Sequence, residues 1–580
     1  MATEQPLVLP SASPATPPRL SLLHGALDPP LVDLTLGELL ELQSYQNGSR
    51  ECLVIPWTGA RWTYSDLNQQ SHLLSQALLA MGIGPGDRVG IMAGNCEQYA
   101  AVFFAVTRIG AILVILNNTY TPTEAMYALK FSECKVFFTT QKIGRLDNSK
   151  LLAEIDGMVE KPPRVVILRG PAGKYATYDQ LIESGRRQSH EKKLFEAKRK
   201  VLPHQVCNLQ FTSGTTGNPK AAMLTHHNLV NNSRFIGDRM RLTPADTLCC
   251  PPPLFHCFGL VLGLLACVTH GAKIVYPAEV FDPTATVAAV LEERCTALHG
   301  VPSMFEALLE KLPRDLAPGS LSLRTGIVAG APVPRPLMEK LVGVLGMTEF
   351  TSSYGLTEAS PTCFNAFTDD AIDVRLATVG TLMPHARAKI VDRDGAVVPL
   401  GEKGELCIAG YQLQAGYWNN SEKTADVMVR DEAGVLWLHT GDEAVFDADG
   451  YCTITGRFKD IIIRGGENIY PLEIEERLLA HPSVARAIVV GLKDAYYGEV
   501  VATFLELRGG KGAVVPGDDE VREWVRARLG RHKAPAHVFW LGRGGVPATV
   551  PLTGSGKVKK YEMAVLGNSL LKGRTAQAKL

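Results

Sequence analysis

The chain has 580 residues, more than the roughly 250–300 that one hydrophobic core usually organises, so more than one domain or subdomain is expected. Its 59 basic and 59 acidic residues cancel without a long single-sign run, which argues against a nucleic-acid or anionic-membrane surface as the main partner and leaves a small molecule as the default. The 12 cysteines include no C-x-x-C pair, and Cys249 and Cys250 lie in an apolar, strand-like context, the pattern of reduced, mostly buried thiols in an intracellular compartment.

The opening "MATEQPLVLPSASPATPP" is rich in Pro, Ser and Ala and lacks the charged start and long apolar run of a signal peptide. Residues 1–34 are therefore expected to be a flexible segment. From about Thr35 helix and strand patterns alternate. "YSDLNQQSHLLSQALLAMG" reads as an amphipathic helix capped by Ser65, then come "DRVGIMAG" as a buried strand, "EQYAAVFFAVTRIG" as a helix, "AILVILN" as a strand, "PTEAMYALKFSE" as a helix and "CKVFFTT" as a strand. This cadence predicts α/β architecture with doubly wound parallel sheets. It continues through "ADTLCCPPPLF", "GLVLGLLACVTHG", "AKIVYP", "TATVAAVLEERC" and "TALHGVP". The apolar run "FGLVLGLLACV" is core length, short of the roughly 18 residues a membrane span needs, so no transmembrane segment is expected.

Around Ala386 the texture changes to short strands with Gly and Asp turns, which reads as a β-rich subdomain over about 386–456. After "GRFKD" the stretches "VARAIVVGL", "VVATFLELRG" and "DDEVREWVRARLG" form a compact α+β run, so the chain divides into a large part, 35–458, and a small mobile C-terminal part, 459–580. It ends in Ala578, Lys579 and Leu580, a variant of the S-K-L address that a peroxisomal import receptor reads at a free C-terminus; the expected location is the peroxisome, otherwise the cytoplasm.

"FTSGTTGNPK", Phe211 to Lys220, looks built for phosphate yet is no Walker loop: Pro219 stands where the second glycine belongs and Ala221 replaces the magnesium-binding hydroxyl. Ser213, Thr215 and Thr216 still offer hydroxyls, Gly214 and Gly217 allow close backbone approach, and Lys220 adds a mobile charge. By itself the stretch is suggestive only, the lesser alternative being a Gly/Thr turn between two strands.

The combination decides. With "PPPLFHCFGL", "GAPV", "SSYGLTEASP", "WLHTGD", "GRFKDIIIRGGENIYPLEIE" and "PLTGSGK" in this order, the chain from about Thr35 to about Lys560 resembles the adenylate-forming superfamily of acyl-CoA synthetases, luciferases and peptide-synthetase adenylation domains. "RGGENIYPLEIEE" and "TSGTTGNPK" look closest to medium-chain and fungal-type acyl-CoA ligases. That resemblance implies an AMP-forming acid–thiol ligase using ATP, Mg2+ and coenzyme A: a carboxylate attacks the α-phosphate to give acyl-AMP, and a thiol then displaces AMP.

The resemblance also assigns residues. Lys557 is the cation aimed at the charge developing on the α-phosphate. Thr357 faces the AMP phosphate and Glu358 holds magnesium, a hard cation that takes carboxylate oxygen. Thr212, Ser213, Gly214, Thr215, Thr216, Gly217 and Lys220 hold the phosphates. Tyr354, among Ser353, Gly355 and Leu356, stacks on adenine opposite the strip Gly330, Ala331, Pro332. Asp442 takes both ribose hydroxyls with Arg457 beside it. His256, by residue type alone a core histidine, borders the carboxylate and positions the acyl substrate. Lys459 is the hinge, and Gly465, Gly466 and Glu467 line a CoA channel with Ala534, Pro535 and Ala536 nearby. Departures are Ala221 for the usual glycine, Ile463 where luciferases carry lysine, and the inserted "LGRGGVPATV". A stand-alone enzyme that loads a carrier protein, or a non-catalytic nucleotide or acyl-CoA binding protein, stays open, as do the acid and the oligomeric state. Medium-chain, branched hydroxy and polyketide-derived acids all fit the sequence, in fatty-acid or in secondary (siderophore or polyketide side-chain) metabolism.

Overall fold

The computed structural model describes residues 19–187, 190–212, 219–313, 316, 319–330, 333, 335–509, 514–553 and 557–577. A seven-stranded sheet runs in the order 176–177, 164–167, 136–139, 88–92, 112–115, 206–212 and 220–225, parallel except for the last pair. Its inner strands Ile112–Ile115 and Val136–Thr139 are buried at every residue, as a sheet covered on both faces demands. Helix Glu97–Arg108 packs on one face, with Phe103 and Phe104 fully buried, and helix Tyr64–Ala80 packs against that helix.

The helix at Tyr64–Ala80 forms as expected, with a different cap. Thr63 accepts from Asp66 N at 3.1 Å while the Asp66 carboxylate accepts from Thr63 N at 2.9 Å, a reciprocal capping box. Ser65 lies inside the first turn, because the strand Ala60–Thr63 delivers the chain directly into the helix.

A second, nine-stranded sheet carries Glu349–Gly355 between Thr325–Ala329 and Thr362–Asn365. Gly355 ends its strand where a Cβ would lie 1.9 Å from the Pro361 carbonyl oxygen, so only glycine lets the next strand turn back this closely. The apolar run after His256 is a π-helix, Phe258–Leu265, continuing into Ala266–His270. Buried His299 supports it: Nδ1 accepts from Ile327 N at 3.0 Å, so the proton sits on Nε2, 3.0 Å from the Leu262 carbonyl.

The third sheet pairs Ala386–Val391, Gly404–Gly410, Leu436–Phe446 and Cys452–Arg457 antiparallel. Its edge is Leu22–His24, in register with Arg387–Lys389, and Ser21 is buried against it. The expectation of a flexible segment to residue 34 is thus corrected from Arg19 onward: a three-residue strand carries no periodicity, and its order comes from a sheet formed far along the chain. Residues 1–18 lie outside the described residues.

The last sheet is built on a long hairpin, Val484–Asp494 with Gly498–Leu507, flanked by Ile462–Arg464, Glu467–Ile469 and His537–Trp540. The helix Lys560–Gln577 packs over it. All 12 cysteines are buried and free. Among the described residues no helix is long and apolar enough to cross a membrane.

Candidate active site

The cleft begins where strand Leu436–Phe446 lies beside Cys452–Arg457, which sets Asp442 opposite Arg457 in register. Asp442 is buried; Arg457 Nε donates to its Oδ1 at 2.7 Å and Tyr354 Oη donates to its Oδ2 at 2.6 Å. Burial, then the Asp442 charge, pushes the Tyr354 phenol well above its usual range, so it stays a proton donor. Each carboxylate oxygen keeps a further lone pair for another hydroxyl. The turn that aims Asp442 is held by a residue outside the sequence assignment: Glu405 Oε1 accepts from Gly441 N at 3.0 Å and Oε2 lies 2.8 Å from His439 Nδ1. Its only trace in the sequence is the histidine of "HTGD".

Opposite stand Glu358 and Lys220. Thr212 and Lys220 face each other across the hairpin Val206–Thr212 and Lys220–Thr225, and Lys220 Nζ lies 4.8 Å from the centre of the Tyr417 ring. Tyr417 Oη donates to Glu358 Oε1 at 2.8 Å, so one aromatic ring couples the phosphate-loop lysine to the acid. No motif announced Tyr417. It arrives because 415–418 runs along the Lys220–Thr225 strand, with Trp418 N donating to Ala221 O at 2.8 Å and Met223 N to Gly416 O at 3.0 Å. Burial and then Lys459 lower the Lys220 ammonium from the usual lysine value, against the pull of Glu358.

Lys557 comes from the C-terminal part, between the strand His537–Trp540 and the helix Lys560–Gln577. Its carbonyl accepts from Thr553 N at 2.7 Å and its N–H donates to Thr553 Oγ1 at 3.0 Å, closing the loop that presents it. Its Cε reaches within 3.7 Å of where a Cβ would stand on Gly330, which has φ +90°. Burial, then Arg457, lower its ammonium from the usual lysine value, while Asp442 and Glu358 oppose them. The residue keeps accessible surface while protein crowds its charge, the condition of a cation inside a cleft that solvent still enters.

His256 feels the same ammonium: burial first, then Lys557, pushes its imidazole down to about 4. Its Nδ1 accepts from Phe258 N at 3.1 Å, so the neutral ring carries its proton on Nε2 and offers one N–H. The Thr357 hydroxyl is hydrogen-bonded to the Cys257 thiol, whose Sγ donates to Gln210 Oε1 at 2.6 Å, and burial raises this thiol to about 12. Ser353 Oγ donates to Phe364 O at 3.4 Å and Leu356 N to Pro361 O at 2.9 Å, contacts that shape the strand end behind Tyr354.

The remaining assigned residues lie elsewhere. Gly465 and Gly466, with φ +59° and +89°, make the two-residue turn between Arg464 and Glu467, and all three of Gly465, Gly466 and Glu467 are exposed. Gly465 N donates to Tyr497 O at 2.8 Å and Arg464 covers the Tyr497 ring at 3.8 Å. Ala536 N donates to Val501 O at 2.7 Å, Ala534 N to Arg531 O at 3.3 Å, and Arg522 donates to the Pro535 and Ala536 carbonyls. The Asp494 carboxyl is held low by the Tyr497 and Tyr496 backbone N–H groups and further by Arg464 and His537, which places the turn and the end of the Ala534–Ala536 stretch at one edge of the small sheet. These hydrogen bonds stay within the C-terminal part. Lys459 is exposed in the 3-10 turn Phe458–Asp460. Ser213, Gly214, Thr215, Thr216, Gly217, Ala331, Pro332 and the terminal Ala578–Leu580 lie outside the described residues.

Residues 40–418 match the family described as AMP-binding enzyme, and residues 473–557 match its C-terminal domain. The chain belongs to the AMP-binding enzyme family. It is 74% identical over 579 residues to the acyl-CoA ligase sidI of Beauveria bassiana (strain ARSEF 2860), covering 99% of this chain and 100% of that one. It is 60% identical to the acyl-CoA ligase sidI of Aspergillus fumigatus (strain Af293), over 97% and 96% of the two chains. Its fold is similar to that of the anthranilate CoA ligase AuaEII, solved in complex with anthranoyl-AMP, with TM-score 0.79, 22% identity and coverage of 92% and 97%.

The cleft of this AMP-binding enzyme fits a nucleotide and its counter-ion. Asp442 offers the paired acceptors that ribose hydroxyls need, and Lys220, Lys557 and Arg457 supply cations for phosphate. Glu358, with only Oε1 bonded to Tyr417, has lone pairs left for a hard divalent cation.

Proposed function

We infer that this AMP-binding enzyme is an ATP-dependent acyl-CoA ligase, and the observation that carries its mechanism is Lys557 docked over Gly330 within reach of the Asp442 and Glu358 charges and of the His256 imidazole. In the first half-reaction an acid carboxylate oxygen forms a bond to the α-phosphorus of ATP while the bond to pyrophosphate breaks. Negative charge gathers on the α-phosphate oxygens, and the Lys557 ammonium is the preorganised cation that meets it. His256 donates its Nε2–H to the acid and orients it, and a neutral ring near pH 7 neither repels nor protonates the Lys557 site. Asp442, positioned by Arg457, Tyr354 and Glu405, takes the ribose hydroxyls. The Tyr354 segment and Gly330, Ala331 and Pro332 enclose the adenine. Thr212 to Gly217 with Lys220 hold the phosphate tail, and Thr357 faces the α-phosphate. Glu358 would hold Mg2+, which supplies charge neutralisation of the phosphates when bound.

In the second half-reaction the CoA sulfur bonds to the acyl carbon, the acyl–phosphate oxygen bond breaks, and AMP leaves while the thiol proton is lost. We place this step at a different docking of 459–580 on 35–458, reached by rotation about Lys459, with Gly465, Gly466, Glu467 and Ala534–Ala536 lining the pantetheine passage. The identity to fungal ligases supports service in secondary metabolism. Import through Ala578–Lys579–Leu580 would place the reaction in peroxisomes; residues added after Leu580 should then shift the protein to the cytosol, and an unchanged location removes that reading.

The test of function is carboxylate-dependent ATP consumption over a panel of acids, with and without CoA, with products identified by mass. AMP and acyl-CoA appearing together only with CoA sustain the ligase reading, and the best acid names the pocket. Acyl-AMP that accumulates regardless of CoA assigns the chain to carrier-protein loading, and no ATP consumption with any acid assigns it to binding alone.

A further inference from the structure

We propose that Asp33, His204 and His227 form a binding site for one zinc-like divalent transition-metal ion that staples the base of the hairpin whose other end carries Thr212 and Lys220. The three come from distant parts of the chain, yet their ligand atoms all lie within 4.8 Å of one another. Asp33 Oδ1 stands 3.1 Å from His227 Nδ1 and 3.6 Å from His204 Nε2. Tetrahedral bonds of about 2.0 Å separate ligand atoms by ~3.3 Å, so two edges of a three-ligand set are already close to the separation the ion imposes. The two imidazoles lie side by side, ring centres 4.3 Å apart and tilted by 36°, so a small opening of the pair admits the ion between nitrogen and oxygen donors.

The backbone builds this site. Asn231, one turn along the helix His226–Arg239, bonds both polar groups of Val32: its Oδ1 accepts from Val32 N at 2.8 Å and its Nδ2 donates to Val32 O at 2.9 Å. Asp33 is thereby fixed beside His227. His227 N donates to Pro203 O at 2.8 Å, which fixes His204 on the other side. Leu36 N donates to His226 Nδ1 at 3.1 Å, a further tie of the 31–36 segment to the same helical turn. The Asn231 amide stands 3.4 Å from His227 Nδ1 and donates to the His227 carbonyl at 3.0 Å. Two nitrogens and one carboxylate oxygen suit zinc and its neighbours over magnesium or calcium, which prefer all-oxygen shells.

Asp33 and His204 are 72% and 71% exposed at the side chain, whereas His227 is 8% exposed, so a water completes the ion's shell from the open side. The site lies at the Val206/Thr225 end of the hairpin and Thr212/Lys220 at the other, six residue steps or ~20 Å along the strand. An ion here therefore stiffens the frame beneath the phosphate loop and takes no part in the chemistry.

Equilibrium dialysis of the metal-stripped full chain against zinc chloride, in excess magnesium chloride to occupy carboxylate sites, tests this. One zinc per chain is expected, with the melting temperature rising as zinc is added. His204→Ala and Asp33→Asn, both at exposed positions, should each weaken that zinc at least tenfold and abolish the rise, while Cys407→Ser, in the separate Glu405–Cys407–His439 cluster, should leave it unchanged. Zinc that binds equally in wild type and His204→Ala, or a wild type that retains none, overturns the site.

Discussion

Two places in the C-terminal part meet opposite surroundings. Lys557 stands in the cleft near Gly330, Asp442 and Glu358, while the Gly465–Gly466 turn is exposed, with Gly465 N donating to Tyr497 O within the same part. On the function proposed above, this arrangement is the one suited to acyl-AMP formation. Neighbouring residues of one strand hold it. Asp442 faces Tyr354 and Arg457, whereas buried Glu443, pointing the other way, accepts from Tyr470 Oη at 2.6 Å and also bonds Thr455. Tyr470 belongs to the chain beyond Lys459, so Glu443 ties the C-terminal part to the strand that carries Asp442.

The sharpest way to break this contrast is Lys557→Ala. It should slow acyl-AMP formation by at least about 100- to 1,000-fold, read as pyrophosphate release, and leave thioester formation from supplied acyl-AMP largely intact. Equal loss in both half-reactions would remove Lys557 from its assigned step. Tyr470→Phe comes next: it strips a hydrogen bond from a buried carboxylate, about 1.5–3 kcal/mol of the observed docking, so the first half-reaction should slow by roughly tenfold or more with no slowing of the second. A uniform effect on both would make Tyr470 a stability residue only. Gly466→Ala probes the other turn, since a side chain at φ +89° costs about 1–2 kcal/mol. Here thioester formation should fall several-fold and pyrophosphate release should not.

Acid should separate the two regions by a smaller effect. His226 and His299, both in the large part, are held by burial to about 3 and about 4. Between pH 6.5 and 4 the unfolded chain holds protons there that the folded chain does not, so these two groups make stability fall as pH drops through that window. Unfolding near pH 5 should take up about two protons on their account. A His299→Asn variant that keeps the wild-type proton uptake would refute the assignment for that residue.

Much of this was legible in order along the chain. The alternation of helix and strand, the motif order and the residues Lys557, Glu358, Asp442, Arg457, Tyr354 and His256 could be named from the sequence, and the structure brings those six into one cleft. Tyr417, Glu405 and Tyr470 could not. Each contributes through a side chain whose partner lies 27 to 59 positions away, and although Tyr470 sits within "RGGENIYPLEIEE", nothing in that stretch names Glu443 as its partner. The Thr63 cap and the strand Leu22–His24 were missed for a related reason: a cap depends on where the preceding strand ends, and an edge strand on which sheet is there to receive it.

By itself the sequence determined the local periods, the turns that only glycine can make, the residue types for phosphate and carboxylate chemistry, and membership of a family whose members share that order. The tertiary structure decided which of the two C-terminal turns occupies the cleft, which nitrogen of His256 carries its proton, and which distant imidazoles meet at Asp33. Those outcomes depend on distances and burial that only the folded chain sets, and neither quantity is written in local pattern or spacing.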